Sequence, residues 1–321
     1  MRYAVLGAGA IGAVVGARLA QAGHDVTLLA RGAHLDRLRS DGLRLETPDG
    51  AETLALPVAA GPGEVDWTPE HVVLLAVKSQ QTVPALATLG SAAPPDTPIV
   101  CLQNGIANEP NALRMFANVY AVCVALPASH LEPGVVQAWT SPVTGMLDIG
   151  RHHAPVDPTA HAIAADFRSA TFDAYPRDDI HRWKHRKLIT NLANAVEVVC
   201  GHGERDSPLS EVVRTEGEAV LAAVGYETAT AAEDRERRGD FLRLGEIAGR
   251  TRGGGSSWQS VQRGTGDVET DYLNGEIVLL GRLHGVPTPA NELLQRLVRE
   301  RVAGRTREVL PADEVLALLR R

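Results

Sequence analysis

The segment Gly7-Ala8-Gly9-Ala10-Ile11-Gly12 limits what this chain can fold into more than any other, because of where it sits. It follows a short apolar, β-prone run, Arg2–Leu6, and opens Ala10–Ala22, which has helical composition and closes at Gly23. A G-x-G-x-x-G pattern between a strand and a helix is the turn that receives a dinucleotide pyrophosphate. Gly7 permits the tight turn, Gly9 lets the backbone approach the phosphates, and Gly12 lets the helix pack on the strand. With Ala8, Ala10 and Ile11 they form the expected cofactor loop, its N–H groups and positive helix end facing the anion. Glycine trios also arise by chance in loops, so the strand-turn-helix order carries the inference. That order also argues against a leader peptide, although Met1–Ala22 is apolar and has Arg2 near its start.

The rest of the N-terminal half continues the pattern. Asp25–Ala30, His71–Val77 and Pro98–Leu102 are apolar runs of the kind buried on both faces of a parallel sheet. Val119–Gly150 is broken by Pro127, Pro133-Gly134 and Pro142, which predicts short antiparallel strands, and Thr159–Phe172 reads as a helix. From Ile180 onward the pattern is almost wholly helical, interrupted at 201–208, 253–255 and 285–289. The expectation is an α/β protein, with an N-terminal Rossmann-like doubly wound sheet over 1–177 and an all-helical C-terminal domain over 178–321. A chain of 321 residues suits two domains of roughly 150. A net charge of −7 argues against nucleic acid or an anionic membrane as partner, and no stretch approaches the roughly 20 apolar residues of a membrane span. Three unpaired-looking cysteines, Cys101, Cys123 and Cys200, fit a reducing cytoplasm.

The end of the second strand selects the cofactor. An NAD enzyme usually carries Asp or Glu there to accept from the ribose hydroxyls. This chain has Ala30-Arg31-Gly32, and Asp36 and Asp41 come too late to replace the acid. A guanidinium suits a 2′-phosphate, each charge-assisted bond contributing about 1.5–3 kcal/mol. NADPH is therefore the expected cofactor, with a loop-capping surface arginine as the plain alternative. Two further loops, Val77-Lys78-Ser79-Gln80 and Leu102-Gln103-Asn104-Gly105, lie at the carboxyl ends of strands, where such folds bind ligands. Lys78 and Asn104 are their candidate residues, and turn chemistry accounts for them equally.

On a helix, Lys187, Asn191 and Asn194 stand at i, i+4 and i+7, one polar stripe among Leu188, Leu192 and Ala195. Asparagine is a poor helix former, so the stripe points to a polar cleft, against a solvated helix face. Lys184 points roughly the same way. A second constellation holds Ser256-Ser257-Trp258 and Glu269-Thr270-Asp271-Tyr272-Leu273-Asn274-Gly275; Glu269 could hold a lysine ammonium or complement a helix start. His181 and His185 at i, i+4 and the pair His152-His153 lack arranged acidic partners, so no metal is expected.

In this order, Gly7–Gly12, Arg31, Lys78, Gln103-Asn104-Gly105, Lys187-Leu188 with Asn191, Ser257, the run Glu269–Gly275 and His284–Asn291 resemble the ketopantoate reductase (2-dehydropantoate 2-reductase) family, over nearly the whole chain. The resemblance implies NADPH-dependent reduction of a small 2-oxo acid, ketopantoate first, a step of pantothenate biosynthesis. It implies Lys187 as the general acid protonating the alkoxide, and Glu269 ordering that lysine and contacting the cofactor. Asn191 and Ser257 would bind the substrate hydroxyl and carboxylate, and Asn104 would touch cofactor and substrate. The chain departs from the family where Trp183 stands four residues before Lys187, and where Asn194 replaces an asparagine expected at 195. A later substrate asparagine of the family has no counterpart within 200–208. A relative acting on another small 2-oxo acid, a β-hydroxyacid dehydrogenase and a non-catalytic NADPH-binding regulator share parts of the pattern. The regulator would have no need of Lys187 together with Glu269. A homodimer is compatible with the sequence.

Overall fold

The apolar runs pair into one large sheet in the structure, a computed structural model that describes residues 1–240, 242–255, 258, 268–306 and 309–320. β1 (Arg2–Leu6) runs through the cofactor turn into α1 (Ala10–Gln21), then β2 (Asp25–Leu29) and α2 (Gly32–Asp41). β3 (Leu43–Thr47), β4 (Gly50–Leu54) and β5 (Val58–Ala59) follow, then β6 (His71–Leu75), α3 (Thr82–Gly90) and β7 (Ile99–Cys101). After α4 (Asn108–Leu113) come β8 (Val119–Ala125), β9 (Ala128–Glu132), β10 (Val135–Ala138), β11 (Gly145–Arg151), α5 (Pro158–Ser169) and β12 (Phe172–Asp173). Eight strands form the main sheet in the order β12-β11-β8-β7-β6-β1-β2-β5, parallel throughout except where β11 runs against β8.

Alternation along β1 shows why both faces are apolar. Tyr3 and Val5 belong to a core with α1 and α5, and Ala4 and Leu6 to a second core with α3 and Phe116. Two predicted features differ in detail. The helix expected over 159–172 ends at Ser169, because Thr171 turns with φ 66° and Phe172 pairs with Gly145 as a strand. The strands expected over 119–150 divide between two sheets. β8 and β11 extend the main one, while β9 and β10 join a separate four-stranded sheet of order β4-β3-β10-β9. The sequence reading had no strand over 43–59; there the polar exposed β4 hides the pattern.

Two compact units make up the chain. The first comprises Met1–Gln103, Asn108–Ile180 and Ala232–Arg252; the second comprises Asn104–Ala107, His181–Ala231 and Gly253–Arg321. The second is built from α6 (Ile180–Cys200), α7 (Pro208–Val224), α9 (Asn274–His284), α10 (Pro289–Val302) and α11 (Ala312–Leu318), around Leu188, Leu192, Val196, Val213, Ile277 and Leu294. No helix among the described residues is long and apolar enough to cross a membrane.

The stretch Ala232–Arg252, which holds most of α8 (Ala231–Arg238), is fixed to the first unit by charge. Asp148, buried on β11, accepts from Arg237 Nη2 at 2.6 Å and Nε at 2.8 Å, and from Arg177 Nε at 2.5 Å. Arg237 Nη1 donates to Asp173, and its guanidinium lies 4.9 Å from the Tyr175 ring centre. Burial favours a neutral Arg237, but Asp148 and Asp173 outweigh it and hold its pKa above the ordinary arginine value. Removing one partner of a buried ion pair leaves a desolvated charge and costs about 3–5 kcal/mol. Asp148→Ala is therefore expected to lower the unfolding free energy by roughly that amount, read as a lower urea midpoint; a loss below about 1 kcal/mol would show the cluster to be solvated.

Candidate functional site

In the first unit the cofactor turn is fixed by its neighbours on either side. Gly7 and Ala8 donate their N–H groups to Leu29 O at 3.4 and 3.2 Å, which ties the turn to the end of β2. Gly7 has φ +104°, and a Cβ there would lie 2.7 Å from Val77 N. A Cβ on Gly12 would lie 2.9 Å from both Ala76 Cβ and Val5 Cγ1. Both positions thus exclude a side chain by contact with the protein itself. Gly9 differs, since a Cβ there would meet nothing within 4 Å. Gly9 caps α1 without a side-chain acceptor, and the first turn has no acidic residue. Among the described residues no side chain caps the first N–H groups of α1, and such N–H groups are the cradle a pyrophosphate needs.

The sheet order brings two cations to this end. β1 lies between β2 and β6, so the connections leave it in opposite directions and open a crevice at the strand ends. Arg31 stands exposed just beyond β2, ahead of α2. Lys78 is half-buried just beyond β6, before the 3-10 turn Ser79–Gln81. A buried polar knot fixes that loop. Gln103 Nε2 donates to Val77 O at 2.7 Å and Thr82 Oγ1 at 2.8 Å; Thr82 donates to Asn108 Oδ1, and Asn108 Nδ2 to Ser79 Oγ. His34, on the first turn of α2, reaches the cofactor turn with Nε2 2.8 Å from Ala8 O. The sequence analysis missed it, although it stands three residues after Arg31, one helical turn away.

In the second unit, α6 carries the polar stripe. Lys187 is half-buried, while Asn191 and Asn194 are 4% and 5% exposed, so the stripe is not a solvated face. Asn191 Nδ2 donates to Asn104 Oδ1 at 3.0 Å, joining two of the predicted substrate residues. Asn194 is placed differently: its Oδ1 accepts from Arg205 Nη1 at 2.5 Å. Arg205 falls in 200–208, where the sequence offered no counterpart to the family's asparagine, and is a second polar group missed there. Lys184 is buried, as is Glu269, in the 3-10 turn Glu269–Tyr272. Ser257 lies outside the described residues. Glu197, one turn beyond Asn194, accepts from Gly255 N at 3.0 Å and His202 Nδ1 at 2.8 Å, holding the glycine stretch that precedes that serine.

Two other residues of the resemblance are structural. Asn274 Nδ2 donates to Leu192 O at 3.2 Å and Asn291 Oδ1 at 3.0 Å. Asn291 Nδ2 in turn donates to Val213 O and to Glu216, whose carboxylate also accepts from the N–H groups of Ala290 and Asn291. One chain of hydrogen bonds so joins α6, α7, α9 and the start of α10.

Comparison with known proteins gives the same outline. Residues 3–152 match the family described as ketopantoate reductase PanE/ApbA, and residues 179–302 match its C-terminal counterpart. The 2-dehydropantoate 2-reductase of Halobacterium salinarum is 30% identical over 317 residues, spanning 93% of this chain and 98% of that protein. That of Archaeoglobus fulgidus is 31% identical over 308 residues, spanning 93% and 97%. The crystal structure of a PanE/ApbA family ketopantoate reductase from Ralstonia eutropha JMP134 superposes with a TM-score of 0.78 at 29% identity, covering 95% of this chain and 99% of that one.

The two kinds of glycine predict two phenotypes. Gly12→Ala should destabilise the fold by about 1–3 kcal/mol through overpacking, lowering the melting temperature. Gly9→Ala should melt as the native protein does, since its methyl meets open space, yet weaken dinucleotide binding by at least about tenfold, near 1.4 kcal/mol. Unchanged binding in Gly9→Ala would show that the phosphates do not approach this backbone.

Proposed function

This chain belongs to the ketopantoate reductase family, and from that premise we propose that it reduces 2-dehydropantoate to pantoate with NADPH. It is an oxidoreductase with a nicotinamide cofactor and a small 2-oxo acid as substrate. The observation that carries the reading is the buried polar stripe of α6, where Asn191 meets Asn104 beside Lys187. Buried asparagines cost stability unless bonded, and a lysine among them supplies a proton where a ketone becomes an alcohol.

When bound, the cofactor supplies the hydride that adds to the ketone carbon. The C=O π pair then moves to oxygen, and the ammonium of Lys187 gives a proton to that oxygen, leaving the secondary alcohol. A lysine donor also stabilises the negative charge while it develops. Glu269 holds the ammonium in position. Asn191 and Ser257 bind the substrate hydroxyl and carboxylate, Asn194 adds a further polar group on α6, and Asn104 orients substrate against cofactor. The glycine turn, Gly7 to Gly12, receives the pyrophosphate; Arg31 meets the 2′-phosphate, and Lys78 adds a second cation at the strand ends. The charge of Arg31 and the absence of an acid at the end of β2 support NADPH over NADH.

Turnover, followed as loss of reduced-nicotinamide absorbance, should be fastest with ketopantoate in a panel of 2-oxo acids. Lys187→Ala should lower kcat by about 10²–10⁴-fold with little effect on NADPH binding. Undiminished turnover in that variant would reject Lys187 as the proton donor. Arg31→Asp should shift the NADPH-to-NADH preference by about tenfold to a hundredfold toward NADH. An unaltered ratio would mean that the guanidinium does not meet the 2′-phosphate.

A further inference from the structure

We propose that His34 is a positioning residue for the cofactor, which in its neutral Nε2–H form holds the Ala8 peptide so that the Gly9 N–H faces the pyrophosphate. The inference rests on the cofactor reading above and adds a residue and a proton to it.

The tautomer follows from the partners. Gly134 N donates to His34 Nδ1 at 2.9 Å, and a backbone N–H can only donate, so Nδ1 carries a lone pair. The single proton of the neutral ring is then on Nε2, which donates to Ala8 O at 2.8 Å. The ring is a strut between two backbones. The Gly134 end is itself fixed, because Gly134 O accepts from Arg44 N at 2.8 Å on β3. At the other end, the Ala8–Gly9 peptide is trans and planar, so its C=O and N–H point in opposite directions. Holding Ala8 O toward α2 turns Gly9 N–H away from it, to the side where a Cβ on Gly9 would meet open space.

A second proton would break the strut. Protonated Nδ1 becomes a donor aimed at the Gly134 N–H, which cannot accept it. Desolvation lowers the pKa of His34 below the ordinary imidazole value, against the opposing pull of Ala8 O. The charged and titratable groups near the ring are few. From β9, the His130 ring lies 4.3 Å away, centre to centre, tilted by 48°. From α2, Arg37 packs beside Gly134 with its guanidinium paired to Asp41. Arg31 precedes His34 by one turn, and the cofactor turn has no ionisable side chain. A histidine whose folded pKa is depressed leaves the fold at full stability above its unfolded value; that stability is lost as pH falls through it toward the folded one. Since Gly9 N–H is part of the anion cradle, cofactor affinity falls as pH drops through the lowered pKa that His34 has in the folded protein.

The test is NADPH affinity, read from cofactor fluorescence, between about pH 8 and pH 5.5, a range spanning histidine titration. His34→Gln keeps one donor and one acceptor on an uncharged amide, and His34→Leu keeps neither. The native protein should lose affinity toward pH 5.5 by up to about tenfold, the limit for an ordinary imidazole. His34→Gln should bind at pH 8 within about threefold of native, under 1 kcal/mol, with a correspondingly flatter acid limb. The 2′-phosphate's own titration is common to both and cancels. His34→Leu should raise the KM for NADPH by about tenfold and leave kcat at saturation unchanged. Linkage supplies a second readout on the native protein: binding that requires neutral His34 must lower its pKa further, seen as an acid shift of its ¹⁵N resonances on adding NADPH. Identical acid limbs in native and His34→Gln, or ¹⁵N titrations that NADPH does not move, would overturn the inference while leaving the cofactor reading intact. A native protein that binds no NADPH at any pH would overturn both.

Discussion

Where the backbone of Gly7 passes Val77, the ends of β1 and β6 come so close that no side chain fits between them. The rest of the cofactor face depends on that closeness. It lets α1 begin at Gly9, directly over the strand ends, with N–H groups free of any capping side chain. It leaves Gly7 and Ala8 within reach of Leu29 O, so the end of β2 is tied to the turn and Arg31 follows at a fixed distance along the chain. On the other side it sets the start of the loop that carries Lys78. One steric constraint therefore places a helix dipole and two cations at the same end of a sheet, an arrangement suited to a phosphorylated dinucleotide.

The second unit solves a different problem, which is to keep polar groups inside a helical core. A buried amide without a partner costs about 1–3 kcal/mol, so each asparagine must be used. Asn274 and Asn291 are used within the scaffold, closing a chain of bonds from Leu192 O to Val213 O and Glu216. Asn191 donates through its amide nitrogen to Asn104, and its carbonyl oxygen is of the kind that accepts from a hydroxyl. The same residue type thus serves the scaffold at 274 and 291 and the polar stripe at 191, and the distinction lies in the partners.

Much of this was legible in the sequence because the signals were local. The glycine turn, the apolar runs of β1, β6 and β7 and the i, i+4, i+7 stripe of α6 each occupy one short stretch. What escaped was set by contacts distant in sequence. The Gly134–His34 and Ala8–His34 bonds span 100 and 26 residues, and nothing in Arg31-Gly32-Ala33-His34 shows which way the imidazole turns. The small sheet escaped because parallel pairing of β3 with β10 joins residues about ninety positions apart. Arg205 escaped because a family pattern names a residue type at a position, whereas its bond to Asn194 is visible only once the chain beyond α6 has folded back.

The return of Ala232–Arg252 to the first unit has the same character, and it bears on how the chain holds together. Composition over 233–238 shows only a charged helical stretch, for which a solvated face is the simplest account. Yet Arg237 is the main counter-ion of Asp148, a carboxylate buried among β11 and the turn to Arg177, and Arg243 O and Gly245 N bond to Ser141 and Trp139 beside the small sheet. A fragment ending at Ile180 would keep Asp148 and Arg177 but lose Arg237 and the bonds to 139–141. It would leave a buried carboxylate with half its compensation. The sheet unit therefore needs residues that the chain supplies only after α6 and α7 have been made, so the segment that carries Lys187 is enclosed in sequence by the segments that build the cofactor face.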